Sequence, residues 1–327
     1  MDSTEFRKWL EAIDGLSEQQ RAEVQAILSG RSGEAEVIAA LEQSVMAERR
    51  CPHCETVGAI VRGRANGLRR LHCRGCNKTF IALTGTPLAH LHLKDRWMDF
   101  ARSLSEREVV HKSASRCGVA ISTAFRWRHR FLRTIRTNAA ALNGIVEADE
   151  TYLLESRKGS RDWQRAEESQ AGAKSPDRKA RKRGGKAAKR GLSFEQVPVL
   201  VAADRSGATL SAILPAVTAD ALAHALRPVM SKDALLVTDG ATPYPSCARQ
   251  LGVAHEVLRA STGERVRGDL HIQTVNSRHE RLKDMLRRHR GVASKYLDSY
   301  LKWFHLATIR LNPTPRACLN AAIQTYA

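Results

Sequence analysis

Four cysteines and a few carboxylates carry most of the chemistry that can be read from this chain. Cys51-Pro52-His53-Cys54 and Cys73-Arg74-Gly75-Cys76 are two Cys-x-x-Cys pairs with 18 residues between them, a spacing at which four thiolates close one tetrahedral zinc site. Each two-residue gap lets both sulfurs of a pair face one ion, and Gly75 gives the turn a permissive backbone. His53 stands between two ligands, but a fourth thiolate is already available, so it reads as a bystander. Four protein ligands leave no position for water, which makes the ion structural. Cys117, Cys247 and Cys318 bring the total to seven. An odd number, in a chain whose first residues lack the basic and apolar blocks of a signal peptide, favours metal over disulfides and a cytoplasmic location.

The acidic candidates sit in apolar surroundings. Residues 144–154 read as a strand in which alternation puts Glu147, Asp149 and Thr151 on one face and Glu150 on the other. A carboxylate inside an apolar strand is costly unless a cation or partner compensates it, so Asp149 reads as metal-facing. A second apolar strand, Ala234 to Thr238, runs into Asp239-Gly240, placing a carboxylate at a strand end, where open α/β sheets hold ligands. From His271 a helix carries Asn276, Glu280 and Lys283 on one stripe, at spacings of four and three, beside an apolar stripe of Val275, Leu282 and Leu286. Packed by its apolar side, that helix shows its polar side to Asp149 and Asp239. Glu280 is either a reserve ligand or a salt-bridge partner of Lys283 or Arg287. His271 is either a site residue or a helix-capping or phosphate contact.

The elements that must position these residues follow from charge and periodicity. The chain has 327 residues with 53 Lys and Arg against 34 Asp and Glu, a net charge of +19 and a pI near 10.1. A polyanion is the expected partner, nucleic acid first. No apolar stretch approaches the length of a membrane helix. Residues 1–49 read as two or three short helices with a turn at Gly30 to Gly33, a module that packs on its neighbour or contacts DNA ends or a partner. Residues 50–92 hold short strands leading to the cysteine knuckles. Three helices at about 94–104, 105–117 and 122–136 form a helix-turn-helix, with Gly118 ending the second and Ser122 capping the third. On that third helix Ala124, Trp127, Phe131 and Ile135 face a core, while Arg126, His129, Arg130 and Arg133 form a cationic stripe suited to a major groove. Residues 141–312 alternate strands and helices in the order strand, insertion, two strands in a hairpin, helix, strand, helix, strand, helix. The insertion, about 157–191, carries 13 basic against four acidic residues between Arg157 and Arg190 and reads as a flexible surface segment, either a solvated loop or an arm tracking phosphates. Tyr296, Leu297, Tyr300, Leu301, Phe304 and Leu306 make a core-facing stripe, and residues 313–327 read as a tail.

Three motifs together have a family resemblance. Asp149-Glu150-Thr151-Tyr152, Val237-Thr238-Asp239-Gly240 and His271-Ile272-Gln273-Thr274-Val275-Asn276-Ser277 resemble those of the DDE transposases of bacterial insertion sequences. The narrower likeness is to the group with a zinc ribbon before the catalytic domain and Asn at the third position, followed seven residues later by Lys. The resemblance covers roughly residues 50–310. It implies a multidomain α+β protein ending in a ribonuclease H-like domain with a mixed sheet. Asp149, Asp239 and Asn276 would be ligands of catalytic Mg²⁺ or Mn²⁺, and Lys283 the trailing lysine at a phosphate. It implies double-stranded DNA as partner, both element ends and target, with a homodimer or larger assembly at the nucleoid. Hydrolysis would free a 3′-hydroxyl that the same site then directs onto target DNA. Asn276 is the departure, because an amide oxygen coordinates Mg²⁺ without bringing charge. It keeps open an alternative, a catalytically silent transposase-derived DNA binder or repressor. A junction or repair nuclease on the same fold would have no need of a sequence-specific helix-turn-helix.

Overall fold

A computed structural model describes residues 2–135, 141–159, 187, 193, 195–259, 262–309 and 313–323. Almost all of the basic insertion, and Arg136, lie outside the described residues. The described residues form a mixed α/β protein with ten α-helices and a five-stranded mixed sheet, divided into two compact units, Met1–Thr134 with Pro313–Ala327, and Ile135–Asn312. No described helix is long and apolar enough to cross a membrane.

In the first unit, α1 (Ser3–Asp14) and α2 (Glu18–Met46) each start on a capping box, Asp2 with Glu5 and Ser17 with Gln20. The turn expected at Gly30 to Gly33 does not form, and α2 runs through it. Each helical Gly costs about 1 kcal/mol relative to Ala, and the packing of Val37, Ala40 and Leu41, all buried near the end of α2, outweighs that cost. A three-stranded antiparallel sheet follows: β1 (Ile60–Ala65), β2 (Leu68–His72) and β3 (Thr79–Phe80). Next come α3 (Trp97–Ser105), α4 (Val110–Cys117) and α5 (Ile121–Leu132) around Trp97, Phe100, Trp127 and Phe131, whose rings meet edge to face. Gly118 ends α4 in the left-handed conformation, as expected. The third helix starts earlier than read, at Ile121 after Ala120, so Ser122 is inside it and is not its cap.

The presumed tail is structured: the last helix, Pro315–Ile323, packs on α3 and α5 and buries Cys318, Leu319 and Ala322. Thr134 Oγ1 donates to the carbonyl groups of Ala321 and Ala322 at its end. Its apolar positions recur at helical spacing, but the prolines around it at 313 and 315 read as an end instead of an N-terminal start.

In the second unit, β4 (Ile145–Leu154), β5 (Gln196–Asp204) and β6 (Thr209–Ile213) form an antiparallel meander. β7 (Leu235–Thr238) and β8 (Ala254–Val257) add in parallel on the other side of β4, giving the order β6-β5-β4-β7-β8. On one face Val146, Ala148, Leu200, Ala202 and Leu236 pack against α6 (Ala219–Leu226) and α7 (Tyr244–Leu251). The other face is crossed by α8 (Gln273–Arg288) over β4 and β5, with α9 (Leu297–Ile309) against β6. Together with Pro315–Ile323, here α10, these are the ten helices. A short ribbon, β9 (Val266–Arg267) and β10 (Leu270–His271), leads into α8. Because β4 is covered on both faces, its odd-numbered residues look toward α8 and its even-numbered ones toward α6 and α7.

Candidate active site and metal centre

The two cysteine pairs fold as the same turn. The amide of Cys51 donates to the Thr56 carbonyl and that of Cys73 to the Lys78 carbonyl, both at 2.9 Å. The residue after each second cysteine, Glu55 and Asn77, takes a positive φ, 64° and 60°. The turns bring all four Sγ atoms within 4.8 Å of one another, with Cys51 and Cys76 at 3.7 Å and Cys54 and Cys73 at 3.5 Å. Four thiolates around an ion at about 2.3 Å stand about 3.8 Å apart, so the cluster fits a tetrahedral metal site. Gly75 is required for a reason beyond flexibility, since a Cβ there would meet Thr56 Oγ1 at 2.8 Å.

Arg126 on α5 and Arg133 at its C-cap are exposed. His129 and Arg130 are half-buried: His129 packs on the Phe125 ring at 4.6 Å and burial lowers its pKa to about 4, while Arg130 donates to the Ala89 carbonyl at 2.7 Å. The exposed surface of α5 therefore includes Ile121, Ser122, Phe125 and Arg126. Sequence reading passed over Arg128, which is fully buried and donates to the Glu108 carbonyl and to Ser113 Oγ, tying α5 to the start of α4. A basic residue directly after the core position Trp127 was the available signal.

The acidic residues gather at the edge where the parallel strands end. The parallel pairing of β4 with β7 ends at Glu147 opposite Val237. Two residues further along each strand stand Asp149 and Asp239. The turn after β7 needs Gly240, whose φ is 88° and whose Cβ would lie 2.5 Å from Val257 Cγ1. Asp239 is exposed, and its side chain accepts the Ala241 amide. Burial, then the charge of Asp239, pushes the Asp149 carboxyl up to about 7, against the pull of Lys283. The structure thus brings Asp149, Asp239 and Lys283 into one electrostatic neighbourhood. Lys283 also donates to Glu280, which pairs with Arg287 as well. Asn276 is exposed in the first turn of α8, its amide bonded to the Ile272 carbonyl.

One neighbour of Asp149 was missed. His279 is buried on α8 with Nδ1 3.8 Å from Asp149 Oδ2. Burial, then Lys283, lowers its pKa to about 4, so at neutral pH the contact is between a carboxyl and a neutral ring. Its position, three after Asn276 and four before Lys283, was the helical signal. On the opposite face of β4, Tyr244 donates a 2.5 Å hydrogen bond to buried Glu150, whose pKa burial raises.

A family model described as the ISXO2-like transposase domain matches residues 141–305, just over half of the chain. The chain belongs to that transposase family. The matched span contains β4, β7 and α8, and hence Asp149, Asp239, Asn276 and Lys283, and falls inside the second compact unit. A relative from Halobacterium salinarum, named an uncharacterized protein in transposable element ISH50, is 26% identical over 279 residues, 84% of this transposase and 90% of the relative. Its coverage extends the likeness beyond the matched domain. Solved structures of a pre-cleavage Mos1 transpososome and of the Mos1 strand transfer complex align over 71% and 70% of this chain and 80% and 79% of theirs. Each is 13% identical with a TM-score of 0.24, too remote a likeness to bear on this geometry.

Proposed function

We propose that this transposase binds the double-stranded DNA ends of its element and cuts and rejoins DNA at Asp149 and Asp239 with Mg²⁺ or Mn²⁺. The observation that carries this is the pair of aspartates at one level of adjacent parallel strands, one of them half-buried and held up to about 7. Two such carboxylates repel unless a cation lies between them, and an all-oxygen donor set suits Mg²⁺ or Mn²⁺. When bound, the metal supplies positive charge at the attacking and leaving oxygens of a phosphodiester. Asp149 and Asp239 would hold it, with the Asn276 amide oxygen as a third, uncharged ligand. Lys283, beside Asp149, would hold a phosphate next to the scissile bond. His279 stays neutral and keeps water from the buried side of Asp149.

The sheet order, with β5 and β6 antiparallel to β4 and β7 and β8 parallel, supports a ribonuclease H-like reading of the second unit. The thiol geometry supports structural zinc in the first. The three helices α3–α5 support a helix-turn-helix whose α5 enters a major groove by Arg126 and Arg133, and whose His129 and Arg130 serve chiefly to brace it. Synapsis of two ends would engage two or more copies of the chain.

The test is nicking and strand transfer on the native element ends with the full-length protein. Activity should need Mg²⁺ or Mn²⁺ and vanish in Asp149→Ala and Asp239→Ala. Sequence-specific binding without cleavage in any divalent metal would instead establish the silent DNA binder.

A further inference from the structure

The carboxylate that β4 buries most deeply is Glu147, at 1% exposure, two residues before Asp149 on the same face. Its two oxygens serve different segments. Oε2 accepts the amide of Val275 at 3.0 Å. Val275 is the third residue of α8, so this N–H is one that a helix start leaves without an intrahelical partner. Oε1 meets the guanidinium of Arg205, in the turn between β5 and β6, and lies 3.1 Å from His271 Nδ1. Arg205 donates onward to Thr274 Oγ1 at 3.0 Å and to the Asp269 carbonyl at 2.9 Å. The residue at the N-cap of α8 is Ile272, which has no side-chain acceptor to offer. The helix is thus capped by a side chain from the strand, and an anion there also meets the positive end of the helix dipole.

This arrangement links the parts of the site directly. The strand that bears Asp149 grips the first turn of the helix that bears Asn276, the residue after Val275, and Lys283 two turns on. We propose that Glu147 is a positioning residue that sets the register and rotation of α8 on β4, and so the placement of Asn276 and Lys283 relative to Asp149. The inference rests on the catalytic reading above for its consequence, but not for the capping itself. Each Glu147 oxygen already accepts from an N–H donor, Oε1 from Arg205 and Oε2 from Val275, and this engagement assigns Glu147 to the helix start and not to the metal.

The experiment uses the full-length, zinc-loaded protein with Glu147→Gln and Glu147→Ala. Glu147→Gln keeps one acceptor oxygen and the shape, so the comparison survives if the alanine variant does not fold. Deuterium exchange should speed up about tenfold or more at residues 273–277, in alanine more than in glutamine, and stay unchanged in the cysteine knuckles and α5. Mn²⁺ should still bind at wild-type stoichiometry, whereas Asp149→Asn abolishes binding. Cleavage kcat should fall about 10–100-fold with KM for DNA unchanged. Unaltered exchange at 273–277 in the folded glutamine and alanine variants overturns the positioning role. So does loss of Mn²⁺ stoichiometry equal to that of Asp149→Asn, which would make Glu147 a ligand. A wild-type protein that neither binds Mn²⁺ nor cuts DNA would sink the catalytic reading alone, because the exchange result still decides the cap.

Discussion

The cysteine knuckles and the acidic edge of the sheet are two candidate metal sites built on opposite plans. The four thiols come from one short stretch of chain, each pair made by a turn that its own residues dictate, down to the positive φ of Glu55 and Asn77. Little besides metal can hold the four sulfurs of two such turns together, so ion and local fold depend on each other. Asp149, Asp239 and Lys283 come from three distant segments, and buried contacts that involve no metal assemble them: Glu147 to Val275, and Tyr244 to Glu150. There the scaffold comes first and leaves the carboxylates under strain. A metal in the knuckles would maintain structure, whereas a metal at the aspartates would relieve a repulsion the fold has imposed.

The largest expected effect lies in the knuckles. Chelation, or Cys73→Ser, should unfold residues 45–90, because a structural zinc site of this type contributes about 10–16 kcal/mol of binding free energy to the folded state. Circular dichroism and limited proteolysis read the loss, and an unchanged melt after chelation would erase the contrast between the sites.

The acidic site should respond in the reverse direction. Asp149 titrates at about 7 in the fold against an ordinary value of 3.8. The folded state therefore holds its proton through a pH window in which the unfolded chain has lost it. Stability of the metal-free protein falls as pH rises from about 4 to 7 and stays low above that, and Asp149→Asn should raise it at pH 8 by about 2–4 kcal/mol while abolishing cleavage. Thermal melts at pH 5 and pH 8 check the sign, and a destabilised Asp149→Asn at pH 8 would count against a strained carboxylate.

Tyr244→Phe should cost about 2 kcal/mol by leaving Glu150 buried without its donor, a loss that denaturant titration measures, with the knuckles unaffected. The smallest effect belongs to α5. Arg126→Ala should weaken DNA binding roughly tenfold, about 1.4 kcal/mol, without a change in melt. Arg130→Ala should lower the melt as well, since its bond to the Ala89 carbonyl is lost. Equal behaviour of the two in binding and melting assays would remove the distinction drawn between reading and bracing residues.

The same contrast explains what is legible in the sequence. The cysteine site was legible from spacing because its geometry is local. The succession of elements in the second unit was also legible, from strand and helix periodicity alone. Long-range polar contacts leave no such trace. Glu147 looked like any acid flanking Asp149, and Arg205 like a turn residue, until the fold brought both to the start of α8. Arg130 reads as a surface cation and Arg128 goes unremarked because periodicity reports a face, not the carbonyl groups of neighbouring segments that reach it. Residues 315–323 were passed over because two prolines read as a stop, when Pro315 in fact opens a helix.

At the acidic edge of the sheet, Asp149 and Asp239 would share one divalent cation. Calorimetric titration of Mn²⁺ into the zinc-loaded full-length protein at pH 6 and pH 8 tests it most directly. Binding should be tighter at pH 8, where Asp149 has released its proton, and should disappear in both Asp149→Asn and Asp239→Asn. Mn²⁺ affinity that is the same at both pH values and survives both substitutions would contradict it.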